Sequence, residues 1–144
     1  MGSSARPSNQ EVYFLAHLDG VKPEGEERSQ AADDDASGVV DLMELARILS
    51  DYSLSRTVVL LFTSGEEQGS LGSTLYVDQL KPEELSSIKY VVNIDMIGYD
   101  GNGDGVMELW SGEHAPSFVF TEEMSDTIRT YGFDLQPRLI TGCN

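Results

Sequence analysis

Three apolar segments of this chain each end in acidic or imidazole side chains. They are residues 12–19 (VYFLAHLD), 57–67 (TVVLLFTSGEE) and 90–95 (YVVNID). Apolar runs of this kind are typical of buried strands, and in an open α/β sheet the loops that follow the strands converge at one edge. A fourth polar cluster, residues 32–38 (ADDDASG), lies between the first two segments. We therefore expect four polar clusters to meet at the carboxyl edge of one sheet.

Apolar and β-branched segments alternate with segments of helical periodicity along the whole chain. We predict strands at residues 11–17, 57–63, 89–95, 106–110 and 136–140 and helices at 37–50, 70–79, from Pro82 onward, and at 117–131. Either Asp35 or Ser37 is expected to cap the first helix. The alternation predicts an α/β fold with three layers, in which a mostly parallel (mixed) sheet has helices on both faces.

The length of 144 residues fits one domain, and residues 1–10 are expected to be a leader or disordered, since Met1–Ser4 resembles a leader added for expression. The chain has 25 Asp and Glu against 9 Lys and Arg, a formal charge of −16. This charge argues against nucleic acid and against a membrane surface as partners, because both attract clustered basic side chains. The single cysteine, Cys143, excludes an internal disulfide.

His17 and Asp19 lie two residues apart, so on an extended segment their side chains point the same way. A carboxylate so placed can accept the second imidazole N–H of a metal-bound histidine and fix its tautomer. A purely structural hydrogen-bonded pair would explain the same spacing. The position at a strand end favours a metal, and Asp95 does so more strongly, because an acid after an apolar strand is costly to bury unless it is paired or coordinated. Histidine with carboxylates is most typical of zinc.

Two acidic runs have competing interpretations. Residues 33–35 (DDD) would suit the dipole at a helix start, but the small residues that follow also let the backbone approach an ion closely. Glu66 and Glu67 are adjacent, so their side chains diverge, and one can bind a metal while the other acts as general base on a water. Residues 100–105 (DGNGDG) are predicted to be a turn, because they lack the Glu of a calcium-binding loop, and His114 is expected to be a surface histidine.

Four segments, in order and at characteristic separations, resemble the M28 family of zinc aminopeptidases. They are His17-Leu-Asp19, Ala32–Gly38, Gly65–Ser73 and Asn93–Gly98. The resemblance covers the chain from residue 11 onward. It implies a zinc-exopeptidase-like fold, a partial catalytic domain at residues 11–144, a peptide substrate cleaved at its amino terminus, and a secreted or periplasmic location.

The resemblance also implies a set of metal ligands. Asp34 would bridge two zinc ions, and His17 and Asp95 would complete the first site. Glu67 would bind the second zinc, so that an intact domain would hold two.

Three further residues receive roles from the same resemblance. Glu66 would be the general base that takes the proton from the attacking water. Asp19 would orient His17 from behind. The peptide bond between Asp34 and Asp35 resembles one that is cis in the family, which places Asp35 directly beside the bridging carboxylate.

The family's second metal-binding histidine and a Ser-Asp-His-type segment lie beyond Asn144, and the family has additional strands before the one with His17. We therefore expect one or no zinc in this chain, low or no peptidase activity, and exposed sheet edges that favour a homodimer. Two alternatives remain open: a glutaminyl-cyclase-like zinc enzyme, and a non-catalytic metal-binding or interaction module. The Gly65–Ser73 pattern favours the peptidase over the cyclase.

Overall fold

The computed structural model of the protein describes residues 9–22, 24–25, 27, 31–131 and 134–143. Of the expected leader, only residues 9 and 10 are among these, and residues 1–8 lie outside them. The chain divides into two units between Tyr99 and Asp100.

The first unit is built around a three-stranded parallel sheet. Its strands are β1 (Glu11–His17), β2 (Thr57–Thr63) and β3 (Ile88–Asn93), in the order β2-β1-β3. The central strand β1 pairs with β2 along its full length, with His17 opposite Thr63, and it pairs with β3 so that Leu15 lies opposite Asn93. Because all three strands run in the same direction, the segments that follow them leave from the same edge of the sheet.

Three helices complete the first unit: α1 (Ala36–Leu49), α2 (Leu71–Gln79) and α3 (Pro82–Ser87). Of the two candidate caps of α1, the structure has Asp35, whose carboxylate accepts a hydrogen bond from the Gly38 amide. Helix α1 contacts β1, and its Leu42 is fully buried. Helix α3 begins at Pro82 as predicted, since proline at a first-turn position loses no helical hydrogen bond.

The second unit is a β-α-β motif. Strands β4 (Val106–Gly112) and β5 (Gln136–Cys143) pair in parallel, and the connecting helix α4 (Ala115–Tyr131) contacts both. The turn predicted at residues 100–105 precedes β4. The two carboxylate oxygens of Asp100 accept hydrogen bonds from the amides of Gly103 and Gly105, both at 2.9 Å.

The predicted α/β class is confirmed, and every strand pairing among the described residues is parallel. These five strands form two sheets, one in each unit, because β4 pairs with β5 and not with β3 in the part of the chain that the structure describes. None of the described helices is long and apolar enough to cross a membrane.

Candidate metal centre

His17 is the last residue of β1, and its side chain is buried. Its Nδ1 lies 2.9 Å from the backbone carbonyl oxygen of Asp19. A carbonyl oxygen only accepts, so Nδ1 is the protonated nitrogen and Nε2 presents its lone pair. Nε2 is buried and makes no hydrogen bond within the described structure. A buried lone pair without a donor is costly, which indicates that a proton or a cation belongs there.

Two carboxylates lie beside this nitrogen. The Oδ1 atoms of Asp34 and Asp95 are 3.0 and 3.9 Å from Nε2 of His17. In a tetrahedral zinc site with bonds of about 2.0–2.1 Å, neighbouring ligand atoms are about 3.3 Å apart, so these separations bracket that value. Oxygen and imidazole ligands of this kind fit a divalent zinc ion.

Asp35 lies in the same cluster but is engaged differently. One ligand atom from each of His17, Asp35 and Asp95 lies within 4.8 Å of the others. However, both oxygens of the buried Asp35 accept backbone hydrogen bonds, at 3.1 Å from the His17 amide and at 3.0 Å from the Gly38 amide. Asp35 therefore joins the end of β1 to the start of α1, whereas the neighbouring Asp34 side chain is 43% exposed. The peptide bond between these two residues is cis, as the resemblance implied.

The electrostatics of the cluster favour a bound cation. Burial lowers the pKa of His17, but the hydrogen bond to the Asp19 carbonyl and the charges of Asp35, Asp95 and Asp34 outweigh burial and raise the pKa above its usual value. Burial raises the pKa of Asp95, and the negative charge of Asp35 raises it further. Without a metal, His17 and Asp95 therefore hold their protons more tightly than the same side chains would in water.

The segment after β2 forms a tight turn at residues 65–71, which we call the glutamate turn. The amides of Gly69 and Ser70 both donate to the carbonyl of Glu66 at 2.8 Å. The amides of Glu66 and Glu67 donate to the carboxylate of Asp19, each at 3.2 Å. The charge of Glu66 contributes to the raised pKa of Asp95, so the two carboxylates interact.

The predicted site residues are thus brought together to different degrees. The imidazole of His17 lies next to Asp34, Asp35 and Asp95. Glu67 contacts the loop that follows β1 and His17. The Oε1 atom of Glu67 accepts a hydrogen bond from the Val21 amide of that loop at 3.0 Å.

The family model described as peptidase family M28 matches residues 2–140. The chain belongs to peptidase family M28. Leucine aminopeptidase 2 of Trichophyton equinum is 32% identical over an alignment of 143 residues that covers 93% of this chain and 27% of that protein. A zinc aminopeptidase of Bacillus subtilis, BSAP, has a TM-score of 0.73 at 30% identity over 95% of this chain and 33% of its own. LapA of Legionella has a TM-score of 0.72 at 26% identity over 90% of this chain and 35% of its own.

This M28 chain spans about a quarter of the length of the curated relatives that it matches, since the alignment covers 27% of the Trichophyton protein. The resemblance inferred from the four sequence segments is confirmed, because the matched residues contain all four. His114 lies just before α4 and is exposed, as predicted for a surface histidine, whereas His17 is buried.

Two polar residues of this M28 chain hold the segment after β3 in place, a role that the sequence did not predict for them. The carboxylate of Asp33 accepts a hydrogen bond from the Gly98 amide at 2.7 Å, and Ser37 Oγ accepts one from the Ile97 amide at 3.1 Å. These bonds fix the loop that contains Asp95 against the start of α1. The sequence contained one signal for this contact. Asp33 is the third acid of a run in which only Asp34 and Asp35 had a predicted role at the metal site.

Proposed function

We propose that this M28 chain provides the metal-binding part of a zinc-dependent aminopeptidase that removes amino-terminal residues from peptides. The observation that most strongly supports the proposal is the buried Nε2 of His17, which has no hydrogen bond to any described residue and lies 3.0 Å from Asp34 and 3.9 Å from Asp95. The names of the relatives, leucine aminopeptidase and zinc aminopeptidase, point to the same chemistry.

In this proposal His17, Asp34 and Asp95 would hold one zinc ion, and Asp34 and Glu67 would contribute ligands to a second. When bound, zinc supplies a Lewis acid that polarises the scissile carbonyl and lowers the pKa of water. The burial of His17 keeps its lone pair directed at the metal position, and Asp35 holds the backbone of His17 through the amide. The partly exposed carboxylates of Asp34 and Asp95 leave the site open to substrate.

Glu66 is proposed as the general base. It takes a proton from the attacking water and returns it to the leaving amine. Two observations support this role: the charge of Glu66 acts on Asp95, and the hydrogen bonds of the glutamate turn hold its backbone on both sides. Its hydroxyl neighbour Ser70 Oγ lies 3.5 Å from Glu66 Oε1, so the carboxylate remains largely available.

The two proposed zinc sites differ in how many side chains the described part of the chain is proposed to contribute. The first site would have three, whereas Asp34 and Glu67 are the two proposed for the second. We therefore propose that this chain binds one zinc ion more tightly than the second, and that its turnover is low.

The proposal is tested by comparing the wild-type protein with Glu66→Gln on an aminoacyl p-nitroanilide, with zinc content measured on the same samples. We expect zinc-dependent release that Glu66→Gln lowers about a hundredfold or more, with the zinc content unchanged. Zinc binding without release would instead favour the non-catalytic module. Pyroglutamate formation without release would favour the cyclase.

A further inference from the structure

The carboxylate of Asp19 spans two successive backbone amides. Its Oδ1 accepts from the Glu66 amide and its Oδ2 from the Glu67 amide, each at 3.2 Å. Both oxygens of the Asp19 carboxylate therefore accept hydrogen bonds from the glutamate turn. Hydrogen bonds to an ionised acceptor are about twice as strong as those between neutral groups, so a carboxylate holds this backbone more firmly than a neutral acceptor would.

The same residue contacts His17 through a different atom. The Nδ1 of His17 lies 2.9 Å from the backbone carbonyl oxygen of Asp19, whereas the carboxylate Oδ1 is 3.7 Å from Nδ1. Only the first distance is that of a hydrogen bond. The carbonyl therefore sets the tautomer of His17, and the carboxylate is free for another task.

The loop after β1 and the glutamate turn hold each other reciprocally. While Asp19 accepts from the turn, the Val21 amide donates to Glu67 Oε1 at 3.0 Å. Nearer the sheet, the Leu18 amide donates to the Thr63 carbonyl at 2.8 Å. Pairing between β1 and β2 is thus continued beyond the strand ends by side chains, and Asp19 contacts the backbone of both glutamates.

We propose that Asp19 is a positioning residue for Glu66 and Glu67, because its carboxylate fixes the backbone of the glutamate turn. The effect of Asp19 on catalysis rests on the roles proposed above for Glu66 and Glu67. The hydrogen bonds between Asp19 and the two amides do not depend on those roles. A general base must be held within a fraction of an ångström of its working position, and loss of this hold is costly to rate.

The test is residue-resolved amide hydrogen exchange by NMR on the metal-free protein. In Asp19→Ala we expect exchange at the Glu66 and Glu67 amides to accelerate about tenfold to a hundredfold. Asp19→Asn has one acceptor oxygen in place of two, so one of the two amides should remain protected. The matched control is Asp100→Ala, which removes a similar two-amide acceptor in the second unit and should accelerate only Gly103 and Gly105.

A second readout separates this role from a general loss of structure. The imidazole ¹⁵N shifts of His17 should keep the pattern of the Nδ1-protonated tautomer in Asp19→Asn, because the carbonyl of residue 19 remains. In the zinc-loaded protein, the same variant should lower kcat with little change in KM. If Asp19→Ala does not fold, the asparagine variant provides the exchange and tautomer data.

Unchanged exchange at both glutamate amides together with a changed His17 tautomer would overturn the proposal. Neither readout requires zinc or peptide hydrolysis. A wild-type protein that binds no zinc would therefore contradict the proposed function and leave the exchange result to decide the role of Asp19.

Discussion

The imidazole of His17 determines what the site can bind. It is one of only two histidines in the chain, and it is buried among carboxylates with one nitrogen committed to a carbonyl and the other without a donor. A metal ligand must be unprotonated, so protons compete with zinc for Nε2. The strength of that competition depends on the pKa of His17.

We predict that zinc affinity falls with decreasing pH from a point above the ordinary histidine value. The pKa of His17 is raised from 6.5, so protonation begins at a higher pH than for an unperturbed side chain. Below the raised pKa, the apparent affinity should drop about tenfold for each pH unit, because one proton is displaced per metal ion. Competition titration with a chromophoric chelator between about pH 5 and 8 measures this dependence.

A second group adds to the effect at lower pH. The pKa of Asp95 is also raised, so its protonation should steepen the loss of affinity in the acidic range. An affinity that stayed constant from neutral pH to about pH 6 would show that His17 is not a ligand.

At the scale of elements, the site depends on how closely α1 approaches the sheet. A Cβ atom at Gly38 would lie 2.5 Å from Asp35 Oδ1 and 2.6 Å from the Ile94 carbonyl oxygen. Within a helix, alanine is normally favoured over glycine by about 1 kcal/mol. Here the close approach reverses that preference, since the Ile94 oxygen belongs to the backbone and the buried Asp35 carboxylate is held by two backbone amides.

We predict that Gly38→Ala destabilises the protein by about 1–3 kcal/mol and weakens zinc binding, because the start of α1 must move away from Asp35 and Ile94. Chemical denaturation measures the first effect and zinc titration the second. The control is Gly112→Ala, where the added Cβ would lie at ordinary contact distances of 3.6 Å from Ser117 Oγ and 3.9 Å from Ser117 Cβ. Equal stability of the two variants would show that the approach at Gly38 is not close.

Most element boundaries follow from local patterns. Strands β1 and β2 have the predicted ends, and α1 begins one residue before the predicted start. Apolar runs, helical spacing and caps are local properties, so they can be read from the sequence. They also place His17 and Asp95 at or just beyond strand ends.

Contacts between distant loops could not be predicted in this way. The bonds from Asp19 to the glutamate turn join residues 47 and 48 positions apart, and the bond from Asp33 to Gly98 joins residues 65 apart. No periodicity encodes such pairs, which depend on strand order and register. For the same reason the sequence predicted one sheet, whereas the described strands form two.

At the scale of the whole chain, each unit presents apolar side chains at its surface. Val91 on β3 is 58% exposed and Trp110 on β4 is 56% exposed. In the first unit, β2 and β3 are the outer strands of the described sheet, and unpaired edges favour association with another chain.

We predict that this chain self-associates with rising concentration through these edges. Light scattering coupled to size-exclusion chromatography should show a mass that increases with concentration, and Val91→Lys should reduce the increase, because a charge on an edge strand opposes pairing. Lys89→Arg, on the same strand, preserves the charge and should have no effect. A constant monomer mass over the whole range would rule this association out.

Zinc binding at equilibrium decides whether the cluster around His17 is a metal centre. The measurement is zinc stoichiometry and affinity for wild type, His17→Ala and His114→Ala, of which the last removes the exposed histidine of the second unit. We expect wild type and His114→Ala to bind one zinc ion with equal affinity, and His17→Ala to lose that binding. Unchanged binding in His17→Ala, or equal loss in both variants, would contradict a zinc site at the end of β1.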